Sequence, residues 1–87
     1  MIIEFDSAKD QANIAKHGLS LSDAVALNLA EAEVVIDDRA DHGETRYRAF
    51  GRIGARGYCL VFTIRDEALR LISFRHAHEK EMKRYGR

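Results

Sequence analysis

Arg46, Arg48 and Arg52 fall at alternating positions of TRYRAFGRI (residues 45–53), and Arg65 and Arg75 each close a later apolar run. Successive side chains of an extended strand point to opposite faces, so Arg46, Arg48, Phe50 and Arg52 share one face and Tyr47, Ala49, Gly51 and Ile53 the other. The second set reads as core. The first carries three guanidinium groups where a half-buried strand would ordinarily show Thr or Val. Guanidinium groups repel one another and do not lose their charge, so such a cluster needs anions. Two sources stay open: internal carboxylates (Glu44, Asp66, Glu67 or Glu81), or phosphate, which the planar fork of Arg grips at two points.

A second anion-binding device lies in LISFRHAHEKEMKRY (residues 71–85), where a strand-like run passes directly into a charged helix. The helix start presents free backbone N–H groups and the positive end of its dipole just after Arg75. His78, Met82 and Tyr85 recur at i, i+4 and i+7 and so face the sheet together. Met82 is core; Tyr85 is either core or a proton donor and stacking surface. His76 and His78, two apart, diverge on a helix and have no Cys or acidic partner, so no metal site is expected. His17 and His78 have reference pKa values near neutrality and suit proton transfer or phosphate contact, although a histidine in the last turn of a helix is also a sufficient cap.

These side chains need elements to hold them. IIEF (2–5) reads as a short β start, and Asp6 as the N-cap of a helix over SAKDQANIAKH that Gly18 stops. Ala8, Ala12, Ala15 and Ile14 are its apolar positions, which predicts close packing of that face. Ser20 with Asp23 forms a capping-box pattern, and Leu21, Ala24, Val25 and Leu29 supply a stripe for a second helix. From Glu33 the period changes to 2. EVVID, residues 45–53, 58–65 and 69–75 read as strands, joined by the acidic loop 37–44, GARG and DEA. Short connections favour antiparallel pairing. Strict alternation along 58–65 sets Tyr58, Leu60, Phe62 and Ile64 against Cys59, Val61, Thr63 and Arg65. Along 69–75 it sets Leu69, Leu71, Ser73 and Arg75 against Arg70, Ile72 and Phe74. Arg65 and Arg75, each ending a face, are expected to approach one another with Arg46 or Arg48. The fold class is α+β: two N-terminal helices packed on a small antiparallel sheet, then a C-terminal helix from about residue 76 to 85.

At 87 residues, 46% hydrophobic and 32% charged, the chain fits one domain over 1–87. No stretch approaches the ~20 apolar residues of a membrane span, no secretory signal is visible, and the single cysteine, Cys59, leaves no internal disulfide; a cytoplasmic setting is the expectation. Net charge is zero, yet residues 1–44 carry three basic against ten acidic residues (net −7) and residues 45–87 eleven against four (net +7). That asymmetry points the second half towards an anionic partner, or makes the two halves neutralise one another in the fold.

Three segments in order resemble the BrnT family of ribonuclease toxins from type II toxin–antitoxin modules. FDSAKDQANIAKHGLS (5–20) is similar to its F-D-x-x-K, N-x-x-K-H-G and following serine; ETRYRAFG (44–51) to its E-x-R-Y; and VFTIRDEALRLISFRHAHEKEMKRY (61–85) to its F-T-x-R, R-x-I-S-x-R-x-A and E-x-x-x-Y. Leu21 departs from the aromatic common in the family, which bears on helix packing rather than chemistry. The resemblance implies a RelE-like fold and metal-independent RNA cleavage that arrests growth without cofactors. It also implies neutralisation by a ribbon-helix-helix (BrnA-like) antitoxin, through which the complex would bind operator DNA. Such cleavage uses the ribose 2′-hydroxyl as nucleophile and needs cations at the phosphorane. Arg46, Arg65 and Arg75 are the expected charge stabilisers, Glu44 a weak candidate base and Tyr85 a candidate donor, with Arg48, Arg52, His17 and His78 contacting RNA. The other reading is a non-catalytic module whose basic sheet face binds an acidic protein. Direct DNA reading is disfavoured by zero net charge and the lack of a recognition helix.

Overall fold

Asp6 starts the first helix by accepting the Lys9 N–H at 2.7 Å, and Gly18 ends it in the left-handed region (φ 73°), where a side chain is disfavoured. The computed structural model of the protein describes residues 2–39 and 43–86; the middle of the acidic loop therefore lies outside the described residues. The elements are β1 (Ile2–Glu4), α1 (Ser7–His17), a 3-10 helix (Leu21–Ala26), β2 (Glu33–Ile36), β3 (Tyr47–Ile53), β4 (Arg56–Arg65), β5 (Ala68–His76) and α2 (Glu79–Tyr85). The last strand outruns its expected end by one residue, so α2 starts later than expected, with His78 as its N-cap.

The sheet order is β1-β5-β4-β3-β2. β2 to β5 form the expected antiparallel meander, but β1 joins β5 in parallel, Ile3 opposite Leu69, so the sheet is mixed rather than antiparallel. No hairpin ties β1 to β5. The whole meander separates them, which leaves the direction of pairing free of turn geometry. Arg70 reaches both Glu4 (3.3 Å) and Asp6 (3.6 Å) and holds that edge.

The second expected helix is instead a six-residue 3-10 turn. Its capping box is present, but Leu21, Ala24 and Leu27 recur every three residues, the period of a 3-10 helix, and all three are buried. Val25, placed on the stripe by a 3.6 period, is 63% exposed.

α1 also turns the other way from expectation. Ala8, Ala12, Ala15 and Ile14 are exposed, and its buried residue is Asn13. The reason is a sheet edge. β1 pairs with β5 only over residues 68–70, and beyond that point the Asn13 amide takes the place of a strand. Its Nδ2 donates to the Phe74 carbonyl (2.8 Å) and its Oδ1 accepts the Phe74 N–H (2.9 Å), while Nδ2 also donates to the Leu19 carbonyl (2.7 Å).

Two apolar clusters sandwich the sheet. On one face Leu21, Ala24, Leu27 and Ala32 cover Ala49, Leu60, Phe62, Leu69, Leu71 and Phe74. On the other, α2 lays Met82 and Tyr85 over Phe50, Cys59 and Val61, with Tyr85 stacked on Phe50 at 4.7 Å.

Candidate functional site

Leu60 pairs with Phe74 and Val61 with Ser73, but Phe62 pairs with Leu71, so Ile72 is an extra residue in β5. This β-bulge resets the alternation. Leu69, Leu71 and Phe74 all join the first core, whereas Ile72, Ser73 and Arg75 face the second side. The strict alternation that grouped Arg75 with Leu69 and Leu71 is therefore corrected by one inserted residue. The consequence is chemical: Arg75, opposite Cys59, joins the face that carries Arg46, Arg48 and Arg65.

The same register separates Arg75 from Arg65. Cys59 faces Arg75 and Arg65 faces Ala68, six residues along β4, or roughly 20 Å at ~3.3 Å per residue. The two arginines do not approach one another, and one phosphate cannot be held by both. At the far end Arg65 Nη2 lies 2.8 Å from Glu44, and Arg46 Nε lies 3.9 Å from the same carboxylate. The Arg65 hydrogen bond is the main reason that Glu44 is held below the usual carboxylate range.

Midway along the face, Asp37 is buried and accepts Arg39 Nε at 2.6 Å and Nη2 at 2.9 Å, with Arg48 Nε at 3.9 Å. The bond from Arg39 holds the Asp37 carboxyl at about 2. Arg48 lies over the rings of Phe50 (5.5 Å) and Tyr85 (5.6 Å), so the Tyr85 ring packs on this face. Arg52 donates to the Ala55 carbonyl at the β3–β4 turn, and His78 is exposed at the α2 N-cap; both lie apart from the concave region.

That concave region lies where α1 meets the second face of β5. A cleft of about 340 Å³ is lined by Lys9, Ala12, Asn13, Lys16, His17, Arg39, Val61, Ile72, Ser73 and Arg75. None of these is acidic. At its wall, Arg75 is gripped by Glu81, Nη1 to Oε1 and Nη2 to Oε2 both at 2.8 Å, and Nη1 also donates to the His76 carbonyl. Glu81 is held at about 2, chiefly by that pair. Burial first, then Lys16 and Arg75, push the His17 imidazole below its ordinary value. Of the residues singled out from sequence, the cleft unites Arg75 and His17; Arg46, Arg65 and Glu44 gather at the other end. Lys9, Lys16 and Arg39 were not foreseen there. Lys9, Asn13 and Lys16 stand at i, i+4 and i+7, one helix face, but the alanine spacing drew attention to the row one residue before each of them.

The family model for the ribonuclease toxin BrnT of type II toxin–antitoxin systems matches residues 5–81. The chain belongs to the BrnT family. Its fold is similar to the crystal structure of the Brucella abortus ribonuclease toxin BrnT, with TM-score 0.70 and 34% identity over 91% of this chain and 99% of that one. The comparison with curated proteins gives no match. Membership in BrnT identifies a ribonuclease toxin with an RNA target and an antitoxin partner. Of the residues through which the sequence resembles BrnT, Lys9, Asn13, Lys16, His17, Ile72, Ser73 and Arg75 line the cleft, whereas Glu44, Arg46 and Arg65 lie at the far end of the sheet. Among the described residues no helix is long and apolar enough to cross a membrane.

Proposed function

We propose that this BrnT-family protein is a metal-independent endoribonuclease that breaks RNA at the cleft between α1 and β5, arresting growth. The observation that carries this reading is the convergence of Arg75, Arg39, Lys9 and Lys16 on one concavity with no acidic residue among its described lining residues. Preorganised cations stabilise the charge that builds on phosphorus as the ribose 2′-hydroxyl attacks, and losing one such donor typically costs about 10²–10³ in rate. Arg75, steered by Glu81, is the principal donor. Arg48, Arg46 and Arg65 continue the cationic track along β3 and β4 and hold flanking phosphates, with Glu44 orienting Arg65. Tyr85 anchors α2 against Phe50 and so fixes the strand–helix join that carries Arg75 and Glu81.

A ribbon-helix-helix antitoxin of the BrnA kind would neutralise the toxin by covering this cationic face in the cytoplasm, with the complex binding operator DNA through the antitoxin. A second reading has its own observation. Arg75, Arg65 and Arg39 each already accommodate a carboxylate, so an acidic protein segment also fits this face. In that case the domain binds without catalysis. Incubating the purified full chain with RNA in excess EDTA decides between them. Cleavage that Arg75→Ala and Arg75→Lys variants lose while staying folded is the expected result. Intact RNA at micromolar protein, with no growth arrest on expression, supports the binding module.

A further inference from the structure

We propose that His17 is the catalytic group that takes the proton from the attacking ribose 2′-hydroxyl, acting from the α1 wall of the cleft opposite the Arg75 side. This inference rests on the nuclease reading and adds the base that it lacks.

Asp37 is buried and locked in two bonds to Arg39, and Glu81 is spent on Arg75; both are held at about 2, too acidic to draw a proton from an alcohol near neutrality. Glu44 is paired with Arg65 at the far end of the sheet. Cys59 is fully buried, and burial pushes its thiol up. His76 lies against Tyr58 at 4.9 Å on the opposite face, and His78 caps α2 in solvent. Among the described residues lining the cleft, His17 is the one whose neutral form is a competent base near pH 7.

Position and electrostatics agree. His17 is half-buried in the last turn of α1, a rigid element pinned to β5 by the Asn13–Phe74 bonds. The charged groups that face it are Lys9 and Lys16 on its own helix, Arg75 on β5 with Glu81 of α2 behind it, and Arg39 after β2. Asp37 stands behind Arg39 as Glu81 does behind Arg75; burial first, then Lys16 and Arg75, favour the neutral ring. The same cations hold the phosphate. Binding charge and base are thus supplied by separate side chains facing one space.

In the step itself the 2′ oxygen forms its bond to phosphorus as its proton passes to an imidazole nitrogen. The bond from phosphorus to the 5′ oxygen breaks, and that oxygen takes a proton from water at the open mouth. The resulting hydroxide then removes the proton from the His17 imidazolium. The products are a 2′,3′-cyclic phosphate and a 5′-hydroxyl.

Cleavage of a short RNA by the full chain, followed from pH 4.5 to 9, tests this. Wild type is expected to show an acid limb below the ordinary imidazole range. His17→Gln should lower kcat about 10²–10⁴-fold with little change in KM and lose that limb. The His17 ring, followed by NMR in the unmutated protein, should titrate at the pH of the limb, which keeps the test valid if the variant fails to fold. A His17→Gln enzyme with wild-type kcat and pH profile, or a ring titration displaced from the limb, overturns the assignment and leaves the nuclease reading standing. Wild-type protein that leaves RNA intact at every pH overturns both.

Discussion

Arg75 and Glu81 meet fork to fork across the join between β5 and α2, with both N···O distances at 2.8 Å and both side chains only one-fifth exposed. Glu81 also accepts the His78 backbone N–H at 2.8 Å, so one carboxylate caps the helix and aims the arginine. The pair makes the orientation of Arg75 dependent on α2 being docked. Glu81→Gln removes the charge but retains the length and one acceptor. It is expected to bind RNA more tightly, because Arg75 loses a competing anion, and to cleave roughly ten- to hundredfold more slowly, because the fork loses its aim. Separate measurements of Kd and kcat check this; an unchanged kcat would show that Glu81 serves the helix alone.

Stability should fall with acid in a specific window. Glu81 and Asp37 are lowered in the fold from 4.5 and 3.8 to about 2, so the unfolded chain binds more protons than the fold between those values. Their contribution is therefore complete above about pH 5 and lost as pH falls towards 2, roughly 2 kcal/mol each after allowing for solvent near Glu81. Urea unfolding between pH 7 and 2.5 should show this slope. Asp37→Asn and Glu81→Gln should each lower stability at pH 7 and flatten the slope below pH 5.

Asn13 should be the most sensitive position of α1 although it carries no charge. Asn13→Ala leaves the buried N–H and C=O of Phe74 unpaired, at about 1–3 kcal/mol for each orphaned group. A loss of about 2–4 kcal/mol is expected, seen as a lower urea midpoint with an unchanged m-value. Ala12→Ser, on the exposed face of the same helix, should stay within about half a kcal/mol.

Asn13 also shows where the sequence was legible and where it was not. The caps at Asp6, Gly18 and Ser20, the four meander strands and the C-terminal helix follow from local chemistry, and each is present. What fails is whatever depends on a neighbour. The inward face of α1 is set by an amide meeting a strand edge 61 residues away, not by apolar spacing. The face of Arg75 is set by a bulge at Ile72 that no period-2 pattern contains. The 3-10 turn was readable, since Leu21, Ala24 and Leu27 repeat at three, but a 3.6 period absorbs two of them and hides the third. The arginines were recognised as anion binders by type, while their division between two ends of the sheet required the register.

The β4–β5 turn offers a gain in stability remote from the cleft. Asp66 and Glu67 both sit at positive φ, 51° and 65°, the pattern of a type I′ hairpin that favours Asn-Gly. Replacing the pair by Asn-Gly should relieve the strain at Glu67 and raise stability by about 1 kcal/mol, a rise in Tm of roughly 4–8 °C for a domain of this size. Calorimetry checks it. Cleavage should not change, as neither residue lines the cleft.

The separation of Arg65 from Arg75 predicts that two arginines on one face will fail differently. Arg65 is half-exposed at the far end of β4; in the proposed track it meets only a flanking phosphate, and in the same proposal Arg75 meets the reacting one. Single-stranded RNA binding releases about 0.7 counterions per phosphate contact, so log K falls with log salt in proportion to the contacts made. Arg65→Ala should reduce that slope by about 0.7–1, weaken binding uniformly across RNA sequences and leave kcat within a few-fold of wild type. Arg75→Ala should instead lower kcat by about 10²–10³. Binding isotherms from 50 to 300 mM salt alongside single-turnover cleavage separate the two effects. Loss of kcat by Arg65→Ala comparable to that of Arg75→Ala would mean that the far end of the face, with Glu44 and Arg46, holds the scissile phosphate.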